Sequence, residues 1–197
     1  MQRRLALSFL ALPALAAGLS ACSPDKPAFQ SVDISGASYA QGFSLPDAKG
    51  QVRTLADFRG KAVVVFFGFT QCPDVCPTAL LHLAEVKRLL ADQGEKLQGI
   101  FIAVDPERDT PEVLQAYMAS FDPSFVALRP SLEQLEATAK DFKVFYKKVP
   151  GATPATYTME HSAASFVFDP QGRVRLYVRP GQSAQAMADD IRLLLKS

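Results

Sequence analysis

Two cysteines, Cys72 and Cys76, stand in the stretch GFTQCPDVCP, directly after a continuous apolar run. The chain has only three cysteines and two histidines, so its thiol chemistry is concentrated in this motif. Two uses compete: electron exchange between the sulfurs, or capture of a soft metal ion. A helix N-terminus lowers a thiol pKa, because its free N–H groups and dipole favour the thiolate. Cys76, just before Pro77, is where that field is expected to be strongest. Residues four apart on a helix have Cβ atoms about 5–6 Å apart, so both sulfurs can converge on one ion. A disulfide, which needs Cα atoms roughly 4.4–6.8 Å apart, is equally allowed. Thiolates select Cu(I), with zinc as competitor. Two thiolates are too few for a closed zinc site, which usually takes four ligands; Cu(I) accepts two or three.

The question then becomes a third ligand. His82 lies six residues beyond Cys76 on an expected helix, nearly two turns away, and reads as a packing or surface residue. His161 stands just before the apolar run SAASFVF. A lone histidine is usually structural, so ligation and packing both stay open for it. Two cysteines and one histidine would form a trigonal copper site able to hold Cu(I) or Cu(II). Asp74 and Glu160, each beside a candidate ligand, could add a weak oxygen contact or a hydrogen bond to the imidazole. Solvated loop carboxylates are the commoner case, and Met159 reads as a packing residue. The segment DPERDTP (105–111) is remote from the thiols in sequence and reads as turn and cap chemistry.

The elements that must position these groups follow from periodicity. AVVVFFGF (62–69) and LQGIFIAVD (97–105) are continuous apolar runs, expected as strands buried on both faces. Helical spacing follows the cysteine motif, with Pro77 in the first turn. Asp109 and Glu112 have capping-box spacing ahead of a second helix, and Ser131 and Gln134 ahead of a third. FVALRP is a short strand, KVFYKKV is extended, and PGATPATYTMEH reads as a long loop. SAASFVFD and RVRLYV flank Pro170-Gln171-Gly172 as a hairpin, and SAQAMADDIRLLLK closes as a helix. FSLPDAKGQVRT adds an N-terminal hairpin turning near Lys49-Gly50. The order predicts an α/β fold: a mixed central sheet with helices on both faces. A cysteine pair between the first core strand and a helix is the thioredoxin-like layout.

The chain's 197 residues and net charge of +1 leave room for one domain plus extras, and no basic stripe points to nucleic acid. The start, MQRRLALSFLALPALAAGLSAC, has the layout of a secretory signal peptide; its apolar stretch is short of the roughly 20 residues of a membrane span. Leu19-Ser20-Ala21-Cys22 resembles a bacterial lipobox. The expected organisation is a signal peptide at 1–21, a tether at 22–37 lipidated on Cys22, and a thioredoxin-like domain at 38–197. Removing Cys22 from the count leaves Cys72 and Cys76 as the mature chain's thiol pair, in an oxidising compartment.

GFTQCPDVCP, AVDPERDTP and a single histidine before SAASFVFDPQGRV together resemble the Sco/SenC family of copper chaperones, over residues from about 40 to the C-terminus. The resemblance implies a thioredoxin-like fold, membrane tethering, and copper bound by Cys72, Cys76 and His161. It also implies a role in assembling the binuclear copper site of cytochrome c oxidase, by delivering copper, reducing the target's cysteines, or both. The implied partner is the copper-bearing subunit of that oxidase or another periplasmic copper protein, met at the bacterial envelope. Glu160 stands where family members often carry Asp. The competing reading is a metal-independent thiol–disulfide oxidoreductase dedicated to a periplasmic partner, with Cys72 and Cys76 as its redox pair. A peroxidase reading fits poorly, because Thr70-Gln71-Cys72 lacks the Thr-x-x-Cys spacing.

Overall fold

The computed structural model describes residues 28–153 and 156–196. The expected signal peptide and Cys22 lie outside the described residues. Among the described residues, ten strands and four α-helices run in the order β1 (Val32–Asp33), β2 (Ser44–Pro46), β3 (Val52–Thr54), β4 (Ala62–Gly68), α1 (Val75–Leu89), β5 (Leu97–Ala103), α2 (Pro111–Ala119), β6 (Val126–Leu128), α3 (Leu132–Phe142), β7 (Tyr146–Val149), β8 (Thr158–His161), β9 (Ser165–Phe168), β10 (Val174–Val178) and α4 (Ala184–Leu194).

Six strands form one mixed sheet in the order β1-β10-β9-β4-β5-β6. Every residue of β4 and β5 is buried, as a strand covered on both faces requires. They pair in parallel from Ala62↔Leu97 to Gly68↔Ala103, and β9 closes on the other side of β4 antiparallel. Side chains alternate along a strand, so Phe66 and Phe67 serve opposite layers. Phe67 meets Phe142 of α3 at 5.2 Å between ring centroids, and Phe166 meets the same ring at 5.1 Å; each such pair adds about 0.5–1.5 kcal/mol beyond its buried area. Phe66 lies on the side of Leu80 and Leu83 of α1, and α1 packs on α4. The helices therefore cover both faces of a thioredoxin-like sheet. The N-terminal hairpin pairs Ser44↔Thr54 through Pro46↔Val52, with Gly50 at φ +79° in its turn, a conformation glycine adopts without steric cost.

Three local expectations change. The stretch 150–161 is not all loop: Thr158–His161 is a strand paired antiparallel with β7, from Tyr146↔His161 to Val149↔Thr158. This pair makes its own two-stranded sheet, outside the central one. The cap of α2 is Thr110, whose hydroxyl accepts from the Val113 N–H, rather than Asp109, which is wholly buried. Finally, part of the 22–37 segment expected as tether is built into the domain. Val32 and Asp33 pair with Tyr177 and Leu176 of β10. The Asp190 carboxylate of α4, 1% exposed, accepts from the Gln30 and Ser31 N–H groups at 2.8 Å and the Ser31 hydroxyl at 2.6 Å.

A buried donor left without its partner costs about 1–3 kcal/mol. Asp190→Ala is therefore expected to lower unfolding stability by about that amount in urea, with faster amide exchange at Gln30 and Ser31. Unchanged stability and exchange would show that this junction contributes nothing to the domain.

Candidate metal centre

The site forms where β4 ends. Gly68 is the last strand residue, and a Cβ there would stand 2.7 Å from the Phe101 ring, 2.9 Å from Phe66 and 3.0 Å from the Cys76 sulfur. The missing side chain is what lets Cys76 fold back under the strand end. The chain then turns through residues 69–74 into α1, with Cys72 in the turn and Cys76 in the first helical turn. The Cys76 N–H donates to the Cys72 sulfur at 3.4 Å, so the helix start faces Cys72, not Cys76. Cys76 is fully buried while Cys72 is half-buried. Burial pushes the Cys76 thiol far up, and the neighbouring Cys72 sulfur adds to the rise against a favourable contact with the Phe69 backbone. The expected lowering of the Cys76 pKa by the helix field is thus overturned: losing water outweighs the helix dipole at this atom.

His161 is the last residue of β8 and comes to the sulfurs from the far side. Its Nε2 lies 3.5 Å from the Cys76 sulfur. Its Nδ1 lies 3.0 Å from the Ser162 carbonyl, to which Nδ1–H donates, so the neutral ring keeps its lone pair on Nε2, facing the cysteines. Phe66 and Phe69 meet the imidazole edge-on at 6.0 and 5.9 Å. Burial lowers the His161 pKa, opposed by its bond to Ser162, and favours the neutral, ligating form. The ligand atoms of Cys72, Cys76 and His161 all lie within 4.8 Å of one another.

Asp74 and Glu160 do not join this group. Asp74 is the residue before α1 and accepts from the Thr78 hydroxyl at 3.3 Å, while Glu160 is exposed on β8. Met159 is partly buried and lines the open recess beside Cys72 and His161. His82 sits on α1, lining a neighbouring apolar cavity, with its Nε2 buried and unpartnered among the described residues.

What the spacing did not reveal is the part played by DPERDTP. Because β4 and β5 run in parallel, the segments that follow them emerge at the same sheet edge, and Val104 N–H donates to Gly68 O at 2.8 Å. The buried Asp109 carboxylate takes the Thr70 hydroxyl at 2.6 Å and the Thr70 N–H at 3.2 Å. Burial raises the Asp109 pKa, while these bonds from Thr70 oppose the rise. Arg108 donates to the Gln71 side chain at 3.0 Å. The two residues directly ahead of Cys72 are therefore held by a segment more than thirty positions away. A sequence signal existed: two buried parallel strands place their following loops side by side.

A family model described as SCO1/SenC matches residues 32–196. The chain belongs to the SCO1/SenC family. A bovine relative, the mitochondrial protein SCO2 homolog of Bos taurus, is 40% identical over 159 residues, covering 79% of this chain and 60% of that protein. The chain thus spans less than two thirds of that relative's length. A structure of Bradyrhizobium japonicum ScoI with copper bound is 36% identical, with a TM-score of 0.70 over 78% of this chain and 97% of that one. The solution structure of apo Sco1 from Thermus thermophilus is also 36% identical, with a TM-score of 0.73 over 86% and 98%. Family membership and the thioredoxin-like architecture are therefore established for the chain.

Filling the space above Gly68 tests the packing under the sulfurs. Gly68→Ala must displace two phenyl rings or the Cys76 sulfur, and overpacking of this kind costs about 1–3 kcal/mol. Denaturant unfolding of the metal-free protein should show that loss. Wild-type stability would mean that the strand end has room the present packing denies.

Proposed function

We propose that this chain carries copper on Cys72, Cys76 and His161 and passes it to a copper-bearing subunit of cytochrome c oxidase or another periplasmic copper protein. The observation that carries this reading is the convergence of two sulfurs and an imidazole nitrogen from separate elements to within 4.8 Å. A trigonal centre with bonds of about 2.0–2.3 Å spaces its ligands somewhat under 4 Å apart, so a small contraction closes it. The donor set is that of a soft ion with some tolerance for Cu(II), and not of a closed four-ligand zinc site. A family member from Bradyrhizobium japonicum has been solved with copper bound. Resemblance to the Sco/SenC family supplies the oxidase as the destination.

The two sulfurs have unequal roles in this reading. Cys72 is half-buried and Cys76 is sealed from solvent, so an acceptor's ligands reach the ion from the Cys72–His161 side. Cys76 releases last. The same asymmetry makes Cys72 the reachable sulfur for any thiol exchange with a partner's cysteines. Anaerobic titration of the reduced protein is expected to load one copper ion per chain, with a Cu(II)–thiolate absorption band. His161→Ala is expected to abolish the band. Wild-type Cu(II) binding with Ala at 161 would remove the histidine from the site.

The cellular setting belongs to the same proposal. Among the described residues no helix is long and apolar enough to cross a membrane, and the lipobox-like Leu19-Ser20-Ala21-Cys22 offers lipidation of Cys22 as the anchor. Such an anchor would hold the domain on the periplasmic side of a bacterial membrane. In a bacterial host, wild type is expected in the membrane fraction with a mass increment on Cys22. Cys22→Ser is expected to lose both. A Cys22→Ser protein that stays membrane-bound would refute the lipid anchor.

A further inference from the structure

The two halves of the centre sit on different sheets. Cys72 and Cys76 follow β4 of the central sheet, whereas His161 ends a hairpin, β7–β8, whose strands, among the described residues, pair only with each other. At its base the hairpin is closed by Ser162 N–H donating to Phe145 O at 2.9 Å and Phe145 N–H donating to the Ser162 hydroxyl at 3.0 Å. Those bonds join the hairpin to itself. None of them crosses to the cysteine turn.

Arg108 does so. Its Nη1 donates to the Gln71 side chain at 3.0 Å, on the cysteine side, and to the Tyr157 carbonyl at 2.8 Å, on the hairpin side. Its guanidinium lies over the Tyr157 ring, 3.6 Å from the centroid. The Tyr157 hydroxyl donates to Asp105 at 2.7 Å, and the other oxygen of that carboxylate holds Arg108 through Nε. Asp105, Arg108 and Tyr157 thus form a closed ring of contacts, with Tyr157 four positions ahead of His161. The Arg108 side chain is only 16% exposed, and that of Asp105 3%. The hairpin's other link to this segment, Lys148 to Glu107 at 2.8 Å, joins side chains about half exposed, and such pairs contribute little. A planar fork that stacks on one face while donating at its edge is a property of arginine that lysine lacks.

We propose that Arg108 is a positioning residue for the metal centre: by gripping Gln71 and Tyr157 together it sets the approach of the His161 imidazole to the two sulfurs. The proposal rests on the copper reading above. It predicts a selective defect. Cu(II), which depends on the nitrogen ligand, loses its proper site, while Cu(I) can stay on the sulfur pair.

The test uses the full chain, reduced and titrated anaerobically with copper alone. Arg108→Ala is expected to weaken Cu(II) binding about 10–100-fold, the range for residues that orient metal ligands. Its Cu(II)–thiolate band should weaken towards the loss expected for His161→Ala, while Cu(I) affinity changes less. Arg108→Lys should resemble Arg108→Ala. In the His161→Ala background, where Cu(I) stays on the sulfur pair, Arg108→Ala should leave Cu(I) affinity unchanged, because the two act through one interaction. A fall in Cu(I) affinity there equal to that in the wild-type background would overturn the proposal, as would a wild-type Cu(II) spectrum and affinity in Arg108→Ala. Should that variant fail to fold, Tyr157→Leu removes the stacked ring from the hairpin side and should show the same selective loss; wild-type copper behaviour there would overturn the proposal too. If His161→Ala loses Cu(II) and Arg108→Ala does not, the copper site stands and only this proposal falls. If His161→Ala itself binds Cu(II) as wild type does, the site assignment fails and takes the proposal with it.

Discussion

The parallel pairing of Ala62–Gly68 with Leu97–Ala103 is the constraint from which the site follows. Parallel strands finish at the same edge, so the turn bearing Cys72 and the segment bearing Arg108 and Asp109 start side by side. Neither segment has regular structure of its own at that point, and each satisfies part of the other's polar groups. Asp109 takes both donors of Thr70, and Arg108 takes the amide oxygen of Gln71. A buried carboxylate is costly unless hydrogen-bonded, and here that need and the need to fix the cysteine turn are met by one set of bonds. The antiparallel partner on the other side of β4, β9, then brings His161 in from the chain that leads to it.

Competition between two fields decides the character of the sulfurs. The start of α1 presents N–H groups, but the Cys76 N–H turns to the Cys72 sulfur and not to its own. Cys76 lies beneath Gly68 between aromatic rings, where loss of water dominates and keeps the thiol protonated. Loading an ion there must expel that proton, because a thiolate is the ligand. The metal-free pair is therefore asymmetric, with one reachable sulfur and one stored under the sheet. Burial also keeps His161 neutral, so the apolar surroundings act in one direction on both groups: they disfavour charge until an ion supplies it.

Much of this was legible in the residues. The runs AVVVFFGF and LQGIFIAVD are apolar throughout because both faces of those strands are covered. Ser131 and Gln134 cap their helix as their spacing requires, with Ser131 N–H donating to Gln134 and Gln134 N–H donating back to Ser131. The CxxxC spacing singled out the two sulfurs, while ligation by His161 was implied by the resemblance to the Sco/SenC family and not by spacing; the fold brings the three atoms together. Three features were hidden for stated reasons. Thr158–His161 follows a stretch rich in Pro, Gly and Thr and is too short to show a period of its own. Asp109 has cap-like spacing to Glu112, yet a buried tertiary contact with Thr70 claims it, and Thr110 takes the cap. The thiol pKa at Cys76 depends on depth below the sheet, which spacing along the chain does not encode.

The short strand Val32–Asp33 at the edge of the central sheet has a consequence for how the domain frays. With Gln30 and Ser31 bonded to Asp190 of α4 and Val32 and Asp33 paired with β10, the first strand of the described residues is closed against the last strand and the last helix. The two ends of the fold hold each other in place, so neither opens without loosening the other.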